Sequence, residues 1–349
     1  MTGHYEDPLH NAALFDIERP PPISLADKFV IPPMTVLDRR SGEWRDRRRQ
    51  WLSLGIKSEE GRARETGAYA TLSDPKRNDF FSRLLRGEIE PNAHGGGSYA
   101  GMIQQAGGVS VFDPVVCELV YRWFSPEGGD ILDPFAGGSV RGIVASHLRR
   151  YYIGLDLSAD QVRANAEQLD IANPDYAPIW LHQDSARMGE VLAGGHQFDL
   201  VFTCPPYGDL EVYSDNPADI SNMRHEEFLT AYFDIIAQAT SRLKQNRFAA
   251  IVVADYRDTK GIYRNFVTST ILAFRAAGLH FYNDAIIIDP VGSAAMRAER
   301  QFVATRKLAK THQNLLVFVK GDPKKATWDC GGGLGRDIAA AIQHQEEAA

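Results

Sequence analysis

The sequence has few cysteines and no excess of positive charge, and each shortage excludes a class of protein. Its 349 residues include three cysteines, Cys117, Cys204 and Cys330, which are far apart and form no CxxC pair. We therefore expect neither a disulfide-stapled scaffold nor a zinc site, and the composition fits a reducing compartment. The formal net charge is -7 at pH 7. Any binding to a polyanion must therefore depend on local basic patches.

Long apolar runs are also missing. No stretch is long enough to cross a bilayer, and residues 1–7 lack the basic start and apolar core of a signal peptide. We therefore expect a cytoplasmic protein without a membrane partner. Hydrophobic residues make up 44% of the chain and charged residues 24%, which is typical of a globular protein with one large domain or two smaller ones.

Two short motifs each follow an apolar strand. Asp133-Pro134-Phe135-Ala136-Gly137-Gly138-Ser139 comes after residues 130–132 and opens a helical pattern. Its glycines let a ligand approach the backbone closely, and the N–H groups at the helix start favour anionic ligand groups. Thr203-Cys204-Pro205-Pro206-Tyr207 comes after residues 198–202. Because ligands in open α/β sheets bind outside the carboxyl ends of the strands, the two motifs predict one crevice.

The remaining chain alternates between strand and helix patterns. Further strands are predicted at residues 151–156, 179–184, 248–255, 285–289 and 314–320. Helices are predicted at residues 159–169, 225–243 and 262–277, the first with Val162, Ala166 and Leu169 on its apolar face. This alternation indicates an α/β protein with a parallel sheet.

Together the two motifs resemble those of the amino-methyltransferases that act on DNA bases with S-adenosylmethionine. The similarity extends from about Phe112 to Gly321. It implies a Rossmann-like class I methyltransferase fold with a mostly parallel, seven-stranded sheet whose last strand is antiparallel. The implied organisation is an N-terminal basic-aromatic extension at residues 1–74, a methyltransferase domain at 75–329 and a flexible tail at 330–349.

The resemblance also implies a binding site for S-adenosylmethionine. Asp156 ends the second strand, where Rossmann-like folds place a carboxylate against ribose hydroxyls, although it can also simply cap the next helix. Asp184 ends the third strand and is placed to accept from the adenine amino group. The segment around Phe112 stands directly before the glycine motif, as the corresponding segment does in the family, but its residue types differ from the family's usual ones. The implied cofactor-binding residues are Phe112, Asp113, Asp133, Pro134, Phe135, Ala136, Gly137, Gly138, Asp156, Leu157, Asp184 and Ser185.

The second motif corresponds to the family's catalytic motif, which usually has Asp, Asn or Ser before Pro-Pro and an aromatic residue. An exocyclic base nitrogen is a poor nucleophile because its lone pair is delocalised into the ring. A backbone carbonyl beside the prolines and a polar side chain before them can accept its two hydrogens, which favours in-line attack on the sulfonium methyl. Tyr207 would stack on the extruded base. The implied catalytic residues are Thr203, Cys204, Pro205, Pro206 and Tyr207.

Cys204 departs from the family pattern, since a thiol is a weak hydrogen-bond acceptor. The departure leaves the target base open between adenine N6 and cytosine N4. It also admits a covalent nucleophile on a pyrimidine ring, although carbon-5 methyltransferases have Cys after a single proline and before Gln, which this chain lacks. Two further functions stay open: an RNA or protein amide-nitrogen methyltransferase, and a catalytically silent subunit that binds DNA or cofactor.

Two segments are rich in basic residues. Six arginines lie between Arg39 and Arg49, near Trp44 and Trp51. They predict a phosphate-contacting helix or, alternatively, a solvated helix docked by its tryptophans. Five basic residues lie between Arg297 and Lys310, in a loop that the family fold places at the crevice. The expected partner is double-stranded DNA, and a homodimer and a cognate restriction enzyme remain open. The predicted DNA-binding residues are Arg45, Arg48, Arg297, Arg300, Arg306, Lys307 and Lys310.

Overall fold

A computed structural model describes residues 29–57, 112–208, 216–291 and 294–331. The chain divides into two compact units, residues 1–33 and 34–349, and every described strand belongs to the second unit. The predicted domain boundary near residue 74 and residues 332–349 of the predicted tail lie outside the described ranges.

The described strands form one eight-stranded sheet with the order β1-β7-β8-β6-β5-β2-β3-β4. Strand β8 is antiparallel to β6 and β7, and the other neighbouring pairs are parallel. The strands are β1 (Val36–Asp38), β2 (Asp130–Asp133), β3 (Tyr151–Asp156), β4 (Ile179–His182), β5 (Phe198–Thr203), β6 (Leu243–Val253), β7 (His280–Ile288) and β8 (His312–Lys320).

Several helices begin at residues that the sequence marks clearly. Ser41, Asp113 and Asp322 each accept a hydrogen bond from a backbone N–H in the first turn, and Pro114 and Pro323 occupy first-turn positions. No helix in the described ranges is both long and apolar enough to span a membrane. The helices are α1 (Gly42–Leu52), α2 (Pro114–Phe124), α3 (Val140–His147), α4 (Ala159–Ala166), α5 (Met188–Val191), α6 (His225–Ser241), α7 (Phe266–Ala276), α8 (Ala294–Thr305) and α9 (Pro323–Asp329).

The core lies on both sides of the central strands. Every residue of β5 is buried, as expected for a parallel strand covered on both faces. Helix α6 packs Phe228, Tyr232 and Ile236 into this core, and Phe274 of α7 stacks on Phe318 of β8 with ring centroids 4.1 Å apart. These contacts hold the carboxyl ends of the strands in fixed positions.

The prediction of a mostly parallel, Rossmann-like α/β sheet with an antiparallel last strand is confirmed, but the prediction of seven strands is wrong. An eighth strand, β1, comes from the N-terminal segment and pairs in parallel with β7, with Val36 opposite Ile286. It covers the backbone N–H and C=O groups that β7 would otherwise expose as an edge strand. Three residues are too few to show an alternating pattern in the sequence.

The sequence also predicted the wrong buried face for helix α4, namely Val162, Ala166 and Leu169. Leu169 lies beyond the end of the helix and is 42% exposed, whereas Gln161, Asn165 and Gln168 are buried. Apolar periodicity misleads here because the amide side chains find hydrogen-bond partners within the protein.

Candidate active site at the carboxyl edge of the sheet

The two sequence motifs lie side by side and are joined by buried hydrogen bonds. Strands β2 and β5 are neighbours, so Asp133 and Thr203 end adjacent strands. The Thr203 hydroxyl donates to Asp133 Oδ1 at 2.6 Å and accepts from the Phe135 N–H at 3.2 Å. Asp133 and Thr203 are fully buried. The glycine turn and the Pro-Pro corner are therefore fixed relative to each other.

Asp133 lies beneath the glycine turn and holds its shape. Its Oδ2 accepts from Arg141 Nε at 2.5 Å and from the Tyr152 hydroxyl at 2.7 Å, and its Oδ1 also accepts from the Phe135 N–H. Arg141 donates in turn to the carbonyls of Phe135 and Ala136. Burial alone opposes the charged guanidinium, yet the Asp133 carboxylate holds the pKa of Arg141 above its usual value. This ion pair braces the turn from inside the protein.

The exit of the turn is held by Asp156 at the end of β3. Gly137 has a positive φ of 51°. Its N–H donates to Asp156 Oδ2 at 2.8 Å, and Asp156 Oδ1 accepts from the Ser158 N–H at 2.8 Å. Asp156 thus holds Ser158, the residue whose side chain caps the next helix, and also reaches the glycine turn. A Cβ at Gly154 would lie 2.7 Å from the Ala136 Cβ, so the turn packs directly on β3.

The residues after β4 complete this edge. The Ser185 hydroxyl donates to the Pro134 carbonyl, and the Gln183 N–H donates to the Asp156 carbonyl at 3.0 Å. Asp184 accepts from the Ala186 N–H at 2.9 Å and remains partly exposed, as do Asp156 and Leu157. The ends of β2, β3 and β4 therefore form one rim with two accessible carboxylates.

Phe112 and Asp113 lie at the other side of the glycine turn. The Phe112 ring packs edge-on against Phe202 and lies 4.7 Å from the Arg141 guanidinium. Asp113 Oδ2 accepts from Arg39 Nε at 2.8 Å and from Trp44 Nε1 at 3.1 Å. The Asp113 carboxylate is buried and serves to anchor the N-terminal segment.

Helix α1 carries the first predicted DNA-binding residues, and much of its charge faces α2. Trp51 Nε1 and Arg47 Nε each donate to Glu118 Oε2 at 2.7 Å. Burial opposes ionisation of Glu118, but these two hydrogen bonds hold its pKa below the usual value. Arg48 points to Asp113 at 3.9 Å, whereas Arg45 is exposed. The tryptophans therefore dock the helix, which matches the second interpretation of this segment.

The Pro-Pro corner presents an aromatic ring supported from behind. Tyr207 is partly exposed, and its ring centroid lies 6.4 Å from that of Tyr256 and 6.1 Å from that of Phe266. Gly208 has a positive φ, and a Cβ there would lie 2.3 Å from the Tyr256 hydroxyl. The sequence did not identify Tyr256 and Phe266 as parts of the site; the only available signal was that Tyr256 follows a predicted strand.

Cys204 is partly exposed beside Pro205, which is buried, and Pro206, which is partly exposed. All three cysteines lie within the described ranges, and none is bonded to another. Cys204 directly follows β5, so it belongs to the Pro-Pro corner at the carboxyl end of that strand.

A group of basic residues, here called the basic cluster, is formed by Arg257, which follows β6, by Lys307 and Lys310, which precede β8, and by His312, the first residue of β8. Arg257 donates to the Gly261 carbonyl at 2.9 Å, and a Cβ at Gly261 would lie 2.1 Å from Lys307 Nζ. Lys310 Nζ lies 3.0 Å from His312 Nε2. Burial lowers the pKa of Lys310. The Asp255 carboxylate opposes this shift, and the Arg257 charge adds to it.

The predicted DNA-binding residues thus fall into three places, of which α1 with Arg45 and Arg48 is the first. Lys307 and Lys310 join the basic cluster, whose Arg257 the sequence did not single out because it lies in a separate segment. Arg300 and Arg306 are exposed on and just after α8, and the side chain of Arg297 lies outside the described part of the chain.

Comparisons with known proteins give only weak similarities. No protein-family model and no curated protein matches the sequence. TrmN from Thermus thermophilus is 14% identical with a TM-score of 0.41 over 60% of this chain and 49% of that chain, so this chain spans about half the length of TrmN. Magnesium protoporphyrin IX methyltransferase from Synechocystis PCC 6803, solved with bound SAM, is 10% identical with a TM-score of 0.36 over 70% and 95%. A putative rRNA-methylase from Clostridium thermocellum is 9% identical with a TM-score of 0.38 over 61% and 99%. Similarities at this level assign no activity.

Proposed function

We propose that the chain is an S-adenosylmethionine-dependent methyltransferase that modifies an exocyclic amino nitrogen of a DNA base, adenine N6 or cytosine N4. One observation carries this proposal. The buried Thr203–Asp133 hydrogen bond fixes a glycine turn beside a Pro-Pro-Tyr corner at the carboxyl edge of a doubly wound sheet. A donor site and an acceptor site thereby share one edge.

The residues of the rim fit the cofactor. Asp156 and Asp184 are partly exposed carboxylates at the ends of successive strands, where they suit ribose hydroxyls and an adenine amine. The positive φ of Gly137 favours glycine at this position. Because glycine has no side chain, the backbone of the turn can approach a ligand closely. When bound, S-adenosylmethionine supplies an electrophilic methyl group on a positively charged sulfur.

The corner suits an aromatic amine as the acceptor. Pro205 and Pro206 have no N–H groups, so the backbone of the corner offers carbonyl acceptors rather than donors. Carbonyl acceptance of an amino hydrogen increases electron density on the nitrogen and orients it. Tyr207 gives the base a stacking surface, and its packing against Tyr256 and Phe266 fixes the ring in advance.

The basic cluster favours a nucleic acid over a small molecule. Within the described residues, Arg257, Lys307 and Lys310 make no ion pair with a carboxylate, even though the whole chain has a net charge of -7. Arg257 follows Tyr256, which supports Tyr207. A base stacked on Tyr207 would therefore bring its flanking phosphates toward cations that need a counter-charge.

The test is methyl transfer from labelled S-adenosylmethionine to duplex DNA, single-stranded DNA, RNA or protein, with the modified nucleoside identified by mass spectrometry. We expect N6-methyladenine or N4-methylcytosine in DNA. Label only in RNA or only in protein would replace DNA with that substrate. Cofactor binding without transfer to any pool would identify a catalytically silent subunit and overturn the proposal.

Tyr207→Ala provides the matched variant for this test. Loss of base stacking, worth about 1–3 kcal/mol, should lower kcat/KM for the nucleic acid roughly 5- to 150-fold. Tyr207→Phe keeps the ring and should stay close to wild type. Calorimetry should give the same affinity for S-adenosylmethionine in all three proteins. Equal loss of cofactor affinity in the alanine variant would argue against a base-stacking role.

A further inference from the structure

Helix α4 buries amides on the face where a core helix usually buries apolar side chains. Gln161 and Asn165 are four residues apart and share one face of α4, and Gln168 follows two residues after the helix ends. Their exposed fractions are 2%, 0% and 6%. Buried amides are retained only where they are hydrogen-bonded, so their partners show what this face does.

Asn165 holds the glycine turn directly. Its Nδ2 donates to the Gly137 carbonyl at 2.7 Å, and its Oδ1 accepts from Gln161 Nε2 at 2.9 Å. The Gly137 N–H is already bonded to Asp156. Both backbone polar groups of Gly137 are therefore fixed, which restrains the most flexible residue type at the centre of the proposed cofactor site.

Gln168 joins the same turn to the N-terminal arm, defined here as residues 34–57. Its Oε1 accepts from the Lys57 N–H at 2.7 Å and its Nε2 donates to the Lys57 carbonyl at 2.9 Å. The same Oε1 accepts from the Ser139 hydroxyl at 3.2 Å. Ser139 ends the glycine motif, so one side chain contacts both the turn and a backbone 111 residues away.

The arm is also anchored near its other end. Arg39 bridges Asp113, which caps α2, and Asp289, just after β7. Trp44 also donates to Asp113. The arm is therefore bonded both to Asp113, next to Phe112, and to Gln168, which contacts the glycine motif through Ser139.

We propose that Asn165 and Gln168 are positioning residues for the cofactor site, and that Gln168 makes cofactor affinity depend on the docked arm. This inference rests on the proposed function. Without Asn165 the Gly137 carbonyl lacks this partner and the turn relaxes. Without Gln168 the arm loses its connection to Ser139, so the turn loses one of its restraints and cofactor binding must supply more of its ordering.

The test compares Asn165→Leu and Gln168→Leu with Asn314→Leu. Asn314 is a buried amide of β8 that bonds to Asp284 and, among the described residues, makes no side-chain hydrogen bond to the turn or to the arm. We expect both α4 variants to weaken S-adenosylmethionine binding about tenfold by calorimetry, with kcat at saturating cofactor within about twofold of wild type. Asn314→Leu should lower the melting temperature similarly and leave cofactor affinity unchanged.

Two further measurements separate positioning from general destabilisation. Gln168→Glu keeps the acceptor for Lys57 and Ser139, so it should restore part of the affinity and decides the matter if Gln168→Leu does not fold. Hydrogen exchange should speed up across residues 34–57 in the Gln168 variants and stay unchanged in Asn314→Leu. Wild-type affinity in folded α4 variants would overturn this inference alone. Absence of cofactor binding by the wild-type chain would overturn the proposed function with it.

Discussion

At the scale of single residues, Thr203 connects the two halves of the candidate site because a hydroxyl both donates and accepts. Its O–H donates a hydrogen bond to Asp133, and its oxygen accepts a hydrogen bond from the Phe135 N–H. Asp133 also accepts hydrogen bonds from Arg141 and Tyr152. Its four hydrogen bonds therefore connect β2, β3, β5 and α3. The geometry of the edge thus depends on a small, fully buried network in which each member limits the others.

Thr203→Val keeps the shape of the side chain and removes both hydrogen bonds. We expect a loss of about 1–3 kcal/mol of unfolding free energy, since a buried carboxylate oxygen and a buried N–H each lose a partner. Urea denaturation measures it. Thr203→Ser keeps the hydroxyl and is the control. Equal stability of the valine and serine variants would show that the network is not important for the fold.

The lowered pKa of His312 should make the stability of the protein depend on pH. Burial and the neighbouring Lys310 lower its pKa in the folded protein, although Asp255, Asp284 and Asp289 act in the opposite direction. The unfolded chain then binds the proton more tightly than the folded chain. The contribution of His312 to the unfolding free energy is fully present above its usual pKa of about 6.5. It is lost as the pH falls through the lower pKa that His312 has in the folded protein. The fall in denaturation midpoint below neutral pH should be smaller in His312→Gln, and an identical pH profile would contradict the prediction.

At the scale of elements, the central strands and their carboxyl-end motifs were predictable, whereas the arm was not. Strand β5 is mostly apolar apart from Asp199 and Thr203, and Pro-Pro follows it after one residue, so both signals are local. Strand β1 has three residues, and Arg47 of α1 has its partner, Glu118, 71 residues later on α2. Charge spacing does not distinguish a phosphate from a carboxylate on another helix, so two interpretations of α1 stayed open.

In the candidate site, too, the local motifs were predictable from the sequence, whereas the long-range contacts were not. The motif predicted that Asp133, Asp156 and Thr203 lie near the crevice, but Asp133 is buried beneath the turn rather than on its surface. Gln168 was not predicted, because a hydrogen bond to Lys57 leaves no periodic signal in the sequence. Long-range polar contacts of this kind become visible only in three dimensions.

The docking of α1 can be tested with Trp51, whose indole is buried and bonded to Glu118. Trp51→Ala should destabilise the protein by about 3–5 kcal/mol through lost packing. Trp51→Phe keeps most of the ring and leaves Arg47 and Arg122 on Glu118, so we expect a loss of about 1 kcal/mol. Chemical denaturation measures both changes. A near-neutral alanine variant would mean that the helix is not docked in solution.

At the scale of the whole molecule, an acidic chain can bind a polyanion only where its cations are gathered and unpaired. The net charge is -7, and many arginines form pairs, such as Arg47 with Glu118 and Arg141 with Asp133. The basic cluster is different, because Arg257, Lys307 and Lys310 meet no carboxylate at ion-pair distance within the described residues. Repulsion from the rest of the molecule would then orient a nucleic acid toward this one side.

This orientation predicts a specific salt dependence. Each phosphate contact contributes about one unit to the slope of log affinity against log salt concentration, so replacing Arg257, Lys307 and Lys310 with alanine should reduce the slope by up to about three units. Fluorescence anisotropy with a labelled DNA duplex at several salt concentrations measures it. Lys324→Ala with Lys325→Ala is the control, because it removes two exposed cations from α9, after β8 and at the opposite end of the sheet. A slope that falls by the same amount per charge removed in both variants would mean that the cations act through net charge alone and that the basic cluster touches no phosphate.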